Sequence, residues 1–390
     1  MLTLFLSFLK LGLTSFGGPV AHLGYFREEF VIRKQWLTDK AYADLVALCQ
    51  FLPGPASSQI GIAIGYQRGG LIGSILAWIG FTLPSALILI GFAQGLQYVG
   101  NEYLGWIHGF KVVAVSVVAQ AVWVMGRKLC PDRSTIAIML IATLITSLFS
   151  GTLAQILAIV CGLFLGSIFL NPALSPPSNH SPQNHKYAPV YLALFILFLI
   201  FLPALAQYQR HSSIIQADAF YRAGSLVFGG GHVVLPLLEA DFVDSGFVNR
   251  DQFLAGYGAA QAVPGPLFTF AAYLGAIQKN PGGIAGGLFA TACIFLPSFF
   301  LILGTLPYWD TLSKKKFMLK AMPGINAAVV GILMSALYDP VITSGILSPV
   351  DFVLALIFFC LLEVWKLPSW VVVLLGGILY ANHQILYSLA

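Results

Sequence analysis

Two short glycine clusters carry the groups best suited to bind an anion. They are Phe16–Gly18 and Phe228–Gly231, and each interrupts an apolar segment. Glycine leaves the backbone amides bare, and the N-terminus of a following helix carries about half a positive charge and presents several N–H groups. A broken helix at membrane depth needs protein, water or a ligand to satisfy those N–H groups. We therefore predict an oxyanion site at Gly17, Gly18, Gly229, Gly230 and Gly231, although small residues also permit close helix packing.

A second repeated motif, Gln-x-x-Pro-Gly-Pro, follows each glycine cluster. Its Gln lies 32 residues after Gly18 and 31 residues after Gly230. Two prolines around a glycine cannot continue a regular helix. The Gln amide could donate hydrogen bonds to an anion or could cap the carbonyls freed by the break, and the sequence favours neither alternative. This motif adds eight candidates, with Ser57, Ser58 and Thr269 as nearby hydroxyl donors: Gln50, Pro53, Gly54, Pro55, Gln261, Pro264, Gly265 and Pro266.

Two cations occupy matching places, six residues before the Phe of each glycine cluster. They are Lys10 and Arg222. A charge at the bilayer centre costs about 3 kcal/mol, so it usually pairs or faces a cavity. Both residues are candidate anion attractors, and the alternative is that they snorkel to the lipid headgroups.

Four titratable side chains near the breaks are candidates for proton coupling. His22 and His232 are the histidines nearest the glycine clusters, and histidine titrates near neutrality. Asp44 and Glu239 are alternative proton carriers, and a satisfied structural partner is the competing interpretation for each. No cluster of His, Cys and carboxylate residues has the spacing of metal ligands, so the sequence predicts no metal or other cofactor.

These residues are set in an unusually apolar chain. Of its 390 residues 58% are hydrophobic and 9% are charged, whereas about a quarter of a soluble domain is charged. Counting apolar stretches of roughly 20 residues gives about thirteen crossings. The composition predicts an all-α polytopic membrane protein, and a net charge of +5 spread over short loops does not favour nucleic-acid binding.

The repetition of the motifs, with Leu83–Ser85 recurring as Leu296–Ser298, predicts a duplicated unit. We expect a first repeat over 1–170, a polar linker and an extra transmembrane segment over 171–211, and a second repeat over 212–390. Seven crossings between equivalent points would invert the second repeat. The repeats would instead lie parallel if the two Phe-Gly-Gly segments were re-entrant hairpins.

Loop charges give a weak indication of orientation. For thirteen crossings, roughly ten Lys and Arg residues fall on the side of the N-terminus and roughly six on the other, which favours a cytoplasmic N-terminus. Arg27, Arg33, Lys34 and Lys40 fall on the disfavoured side of this arrangement.

With these motifs in place, the chain resembles the chromate ion transporter family in its long, two-domain form. Four segments carry the resemblance: Phe16–Leu23, Cys49–Pro55, Phe228–Pro236 and Ala260–Pro266. The resemblance implies a plasma (inner) membrane protein with two homologous halves of opposite topology, which extrudes chromate and confers chromate resistance. It also implies sensitivity to sulfate, a chemical analogue of chromate.

We therefore expect a secondary transporter that exports chromate, driven by the membrane potential, a proton gradient or both. Its predicted partners are the oxyanion, the lipid bilayer and possible further copies of the chain. A channel and a carrier of sulfate or another oxyanion are the alternatives. A membrane enzyme is less favoured, because the chain contains no paired acid-base constellation or redox motif, and no phosphate-binding loop for ATP hydrolysis.

Overall fold

In the computed structural model the protein is built from helices. The structure describes residues 1–98, 104–149, 151–171, 186–209, 211–313 and 315–388, and within these ranges there is no β-strand. The polar linker predicted from Asn171 to Lys186 falls almost wholly on 172–185, outside the described residues.

The first half and the segment that follows it contain eight helices, of which the fourth is sharply bent. They are α1 (Leu2–Thr14), α2 (Gly18–Arg27), α3 (Asp39–Phe51), α4 (Ala56–Tyr98), α5 (Leu104–Leu129), α6 (Arg133–Leu148), α7 (Thr152–Phe169) and α8 (Ala188–Gln209). A π-helical turn, Glu28–Arg33, extends α2.

The second half repeats the order of the first with short additions. Its helices are α9 (Ser212–Leu226), α10 (Val234–Phe242), α11 (Arg250–Ala260), α12 (Phe270–Ile277), α13 (Gly283–Thr305), α14 (Trp309–Leu312), α15 (Lys316–Ala336), α16 (Thr343–Gly345), α17 (Pro349–Glu363) and α18 (Ser369–Ser388). Single 3-10 turns, Gly231–Val233 and Leu267–Thr269, precede α10 and α12.

Each Phe-Gly-Gly cluster forms the tip of a helical hairpin. In the first half, the Phe8 ring of α1 lies 5.8 Å from Phe26 and 4.7 Å from Phe30, so α2 runs back along α1. In the second half, Phe220 of α9 lies 4.7 Å from Phe242 of α10. Since α1 has 13 residues and each helical residue rises 1.5 Å, an arm is about 20 Å long, shorter than the roughly 30 Å hydrocarbon core.

Each Pro-Gly-Pro motif is the tip of a second hairpin in its half. The Arg68 guanidinium lies 4.9 Å from the ring of Trp36, just before α3, so the first arm of α4 returns to the start of α3. In the second half the Tyr273 hydroxyl on α12 donates to the Gln252 carbonyl on α11 at 2.8 Å. The motifs that break the helices therefore reverse the chain direction.

The helix α4 consists of two antiparallel arms that meet at Gly69 and Gly70, whose backbone is not helical. The close approach of Gly65 to Gly73 packs the arms together. The first arm, 56–68, belongs to the hairpin with α3. The second arm, 71–98, is long enough to cross a membrane and corresponds to α13.

The second arm of α4 packs antiparallel to its counterpart α13. Ile90 lies against Gly287, and Trp78, twelve residues earlier, lies 5.8 Å from Phe295. The first arm of each Phe-Gly-Gly hairpin runs parallel to the long helix of its own half. Met1 lies against Gly69 and Gly12 against Phe81 in the first half, and Ser212 bonds to Asn280 while Gly224 packs on Ile294 in the second. The second arm of α4 and α13, which occupy equivalent places in the two halves, thus point in opposite directions.

Six helices among the described residues are long and apolar enough to cross a membrane. They are Ala56–Leu96, His108–Leu129, Thr152–Phe169, Ala188–Gln209, Gly283–Leu312 and Lys316–Gly345. The count of about thirteen crossings is not confirmed. The physical reason is that Gly and Pro divide several apolar stretches into short arms that fold back, so that one apolar stretch does not equal one crossing.

Candidate functional site

The hairpin tips of the two halves meet through a reciprocal pair of backbone hydrogen bonds. The Gly54 N–H donates to the Val227 carbonyl at 2.6 Å, and the Gly265 N–H donates to the Ser15 carbonyl at 2.9 Å. Val227 and Ser15 each directly precede a Phe-Gly-Gly cluster. Each Pro-Gly-Pro tip is therefore bonded to the Phe-Gly-Gly tip of the other half.

The Leu-Pro-Ser motifs complete this junction. Gly54 and Gly265 have φ angles of +118° and +101°, which disfavour any residue with a side chain. A Cβ atom would lie 3.0 Å from Ser298 Oγ at Gly54 and 2.8 Å from Ser85 Oγ at Gly265. All three repeated motifs thus converge on one region, and each glycine contacts the serine of the opposite half.

A cavity of about 160 Å³ opens beside this junction. Both halves contribute to its wall, through Gln50 and Gly54 from the first half and Gly229, Gly230 and Gly231 from the second. A single water needs only about 10–15 Å³ of such space, so the cavity can hold a polyatomic ion. The remaining wall residues are Leu23, Cys49, Leu52, Ala56, Val124, Met125, Lys128, Leu129 and Asn326.

The backbone around Gly229 suits an anion. Gly229 has a φ of +74°, and the 3-10 turn that leads into α10 begins at Gly231. The first N–H groups of a helix have no carbonyl partner within the helix and concentrate positive potential. The described wall of this cavity includes Lys128 and contains no Asp or Glu. The cavity therefore favours a negatively charged occupant.

The structure separates the two roles considered for the Gln residues. The carbonyl freed at Pro53 accepts a hydrogen bond from Gln59 Nε2 at 2.6 Å, so Gln59 performs the capping in the first half. Gln50 is exposed and lines the cavity. In the second half, Gln261 Nε2 is buried and has no hydrogen-bond partner among the described residues. Sequence reasoning missed Gln59, which lies just beyond the Pro-Gly-Pro motif.

The predicted cations Lys10 and Arg222 do not line the cavity of Gly229. Lys10 Nζ lies 3.3 Å from Glu29, and an Arg222 Nη atom lies 3.0 Å from Asp241. Glu29 and Asp241 each follow the Phe of their own cluster by 13 residues, so the ion pair is duplicated with the hairpin. Each pair joins the outgoing arm of a hairpin to its returning arm.

The four proton-coupling candidates lie at separate places. Each histidine ring contacts the hydroxyl of a second hairpin: His22 Nδ1 lies 3.3 Å from Ser57 Oγ, and His232 Nδ1 lies 2.9 Å from the Tyr257 hydroxyl. Asp44 is buried in α3.

Glu239 lies away from the junction, on α10 and outside the six candidate spans. It lines another cavity, of about 410 Å³, together with Arg250. Burial raises the pKa of Glu239 to about 8, although the Arg250 guanidinium 3.6 Å away acts in the opposite direction. A carboxyl group with that pKa can gain and lose a proton near neutral pH.

Two further polar residues reach the cavity of Gly229, and sequence reasoning gave neither a substrate role. Lys128 lies in the basic segment around the end of α5, which contributes to the count of loop charges that indicates orientation. Asn326 lies close to the place in α15 that is equivalent to Lys111 in α5, two residues after Gly324 as Lys111 is two residues after Gly109. The local sequence offers no signal for either, because α5 and α15 come beside Gly229 through tertiary packing. Among the described residues no group of three His, Cys, Asp or Glu side chains could hold a metal ion.

The comparisons with known proteins agree on a single family. The sequence model of the chromate transporter family matches twice, over residues 2–167 and over residues 214–381. A chromate transport protein of Pseudomonas aeruginosa is 27% identical over 354 residues, 86% of this chain and 80% of that protein. One of Cupriavidus metallidurans is 28% identical over 339 residues, 84% of this chain and 80% of that protein. An uncharacterized transporter of Methanocaldococcus jannaschii is 27% identical over 339 residues, covering 86% and 83%. No solved structure matches the chain.

Proposed function

Because the chain belongs to the chromate transporter family, we propose that it is a secondary transporter that exports chromate across the plasma (inner) membrane. The observation that carries this proposal is the cavity at Gly229, Gly230 and Gly231, where the second half supplies backbone amides and both halves supply polar side chains. Chromate is a tetrahedral dianion, and fixed backbone dipoles can bind it without a large number of cationic side chains.

The architecture we propose is a pair of inverted repeats, 1–170 and 212–390, joined by 171–211. The antiparallel packing of the second arm of α4 on α13 supports the inversion. If both hairpins of a half are re-entrant, each half has two fewer crossings than the sequence suggested. The number of crossings between equivalent points of the two repeats then falls from seven to five, which is still odd. Four crossings remain in each half, and α8 adds one between the halves.

Loop charges support a cytoplasmic N-terminus in this arrangement. The hairpins return the 27–40 loop to the side of Met1, whose side chain lies against Gly69. On the other side, the described loops carry Arg250 and Lys279 as their basic residues. The described loops and helix ends on the side of Met1 carry the following basic residues: Arg27, Arg33, Lys34, Lys40, Arg68, Arg127, Lys128, Arg133, Lys186, Lys315, Lys316 and Lys366. This distribution follows the positive-inside rule more closely than the thirteen-crossing arrangement.

The membrane potential can supply the work of export. Moving one negative charge out of a negatively charged cytoplasm releases about 2.3 kcal/mol per 100 mV, hence about 4.6 kcal/mol for a dianion. Proton coupling would add to this driving force. We propose His22, His232, Asp44 and Glu239 as the groups to examine for such coupling.

Alternating access would then come from a rearrangement of the hairpin tips. The cavity of Gly229 is the site of one state. In the other state, the equivalent cavity would be lined by Gly17, Gly18, Gln261 and Gly265. By the same correspondence, Lys111 would take the place of Asn326 there. In the present state, Lys111 pairs with Asp251 at 2.9 Å.

Lys10 and Arg222 have a different role in this proposal from the one first considered. Their ion pairs with Glu29 and Asp241 hold the two arms of each hairpin together. They then act on substrate binding by positioning the tips.

The test of this proposal is uptake of radiolabelled chromate into inverted membrane vesicles that are positive and acidic inside. We expect energy-dependent accumulation of unchanged chromate, blocked by an uncoupler and slowed by excess sulfate. Conduction without saturation would indicate a channel, and accumulation of sulfate but not chromate would indicate another oxyanion carrier. Chemically altered chromate would indicate an enzyme. Absence of accumulation despite verified insertion would overturn the proposal.

A further inference from the structure

A second, wider cavity adjoins the cavity of Gly229. It has a volume of about 780 Å³ and is lined by residues at the ends of α5 and α7, at the start of α6 and in the middle of α15. Lys128, Leu129 and Asn326 line both cavities. These three residues therefore lie at the border between this outer cavity and the glycine-lined inner cavity, and we call that border the neck.

The charge at this neck is positive. Lys128 is exposed and has no ion pair or hydrogen bond among the described residues. Arg133 lines the outer cavity as well. The one described carboxylate in the outer wall, Asp132, accepts the backbone N–H of Thr135 at 2.9 Å and so caps α6. An anion approaching the inner cavity meets a cation whose charge is not already neutralised by a neighbour.

Asn326 supplies the polar group opposite. Its Oδ1 atom is buried without a hydrogen-bond partner among the described residues. That atom lies 3.5 Å from the position a Cβ atom would take on Gly229, so it faces the inner cavity at the glycine cluster. A buried unsatisfied acceptor is unfavourable. Half a turn of the amide would instead present Nδ2, which donates two hydrogen bonds and could satisfy an oxyanion.

We propose that Lys128 and Asn326 form the substrate-recognition neck of the transporter and bind the tetrahedral dianion together with the amides of Gly229 and Gly231. This proposal rests on the proposed function. It assigns charge recognition to Lys128, from the first half, and hydrogen bonding to Asn326, from the second. A site with one ligand from each half is loosened when the halves move apart, as release on the other side of the membrane requires.

Equilibrium binding tests the role of Lys128 independently of transport. Radiolabelled chromate and sulfate are dialysed against the purified full-length protein as wild type, Lys128→Gln, Lys128→Arg and Lys316→Gln. Because a hydrogen bond to a charged group is strong, we expect Lys128→Gln to weaken binding by about tenfold or more. Lys128→Arg should retain most of the affinity. Lys316→Gln removes an equal charge on the same side but outside both cavities, and should bind as wild type does.

Two substitutions test the role of Asn326 by changing the polarity and charge of its side chain while nearly keeping the side-chain volume. Asn326→Asp places a carboxylate beside the glycine cluster and should abolish detectable anion binding through like-charge repulsion. Asn326→Leu loses only the amide and should weaken binding less. If the residue only fills space in α15, Asn326→Leu should bind as wild type does.

The outcomes separate this inference from the proposed function. If the wild type neither binds nor accumulates chromate or sulfate, the proposed function fails. If the wild type binds the anion and Lys128→Gln matches Lys316→Gln, the neck assignment is wrong while the transporter assignment stands. Wild-type affinity in Asn326→Leu would remove Asn326 from the site.

Discussion

Replacing Gly229 by alanine is the sharpest perturbation of the glycine cluster. Gly229 has a φ of +74°, where a side chain is strained. The new methyl group would lie 3.2 Å from Leu129, 3.4 Å from Met125 and 3.5 Å from Asn326, the residues that enclose the inner cavity. The substitution therefore combines backbone strain with obstruction of the cavity.

Gly246 provides a control position, where an alanine would have the same backbone strain but would not obstruct the cavity. Its φ is +77°, and a Cβ atom there would meet no other atom within 4 Å. A left-handed conformation costs a residue with a Cβ about 1–2 kcal/mol, so Gly229→Ala and Gly246→Ala should lower stability by similar amounts. Loss of one hydrogen bond to a charged ligand costs about 1.5–3 kcal/mol more, or about 10- to 150-fold in affinity. That second effect should appear only in Gly229→Ala.

Two measurements on the same purified proteins separate the effect of backbone strain from the loss of anion binding. Thermal unfolding in detergent reports the strain, and the KM for chromate in vesicles reports the site. We expect equal losses of stability, with a KM raised at least about tenfold in Gly229→Ala and unchanged in Gly246→Ala. A wild-type KM in a Gly229→Ala protein that is as destabilised as its control would refute the oxyanion role of this glycine.

Three further predictions concern the junction and the hairpins. Gly265→Ala should slow transport strongly, because its methyl group would press the two halves apart at their backbone bond, whereas Gly91→Ala in an open part of α4 should leave transport rates unchanged. Lys10→Glu and Glu29→Lys should each impair transport and the double swap should restore it. Restoration would contradict direct anion binding by Lys10, and its failure would contradict the hairpin ion pair. Gln50→Cys, in a protein without other cysteines, should react with a thiol reagent from the N-terminal side of the membrane, and chromate should slow that reaction. Labelling unaffected by chromate would place Gln50 outside the site.

The repeated motifs were sufficient to locate the region of the candidate site. Gly229, Gly54 and Gln50 were all predicted, because Gly and Pro act on the backbone locally, and a chain that breaks apolar helices twice in the same way exposes polar groups at both places. The role of Gln50 and the capping by Gln59 could not be separated, since both side chains lie within reach of the same break.

The partners of the predicted residues could be identified only from the three-dimensional arrangement. Lys10 lies six residues before Phe16, yet Glu29 meets it only because α2 folds back along α1. The number of crossings depended on that same reversal, and apolar composition is identical for an arm that returns and one that continues. Lys128 and Asn326 are separated by almost two hundred residues, so no spacing rule could join them.

The sequence by itself determined the helical membrane class, the duplication and the positions where helices break, because composition and local backbone chemistry set these properties. Tertiary structure decided that each Pro-Gly-Pro tip bonds to the opposite half, and that Gly229 shares a cavity with Lys128 and Asn326. These contacts depend on the packing of distant helices and on the direction of each hairpin, which local sequence does not encode.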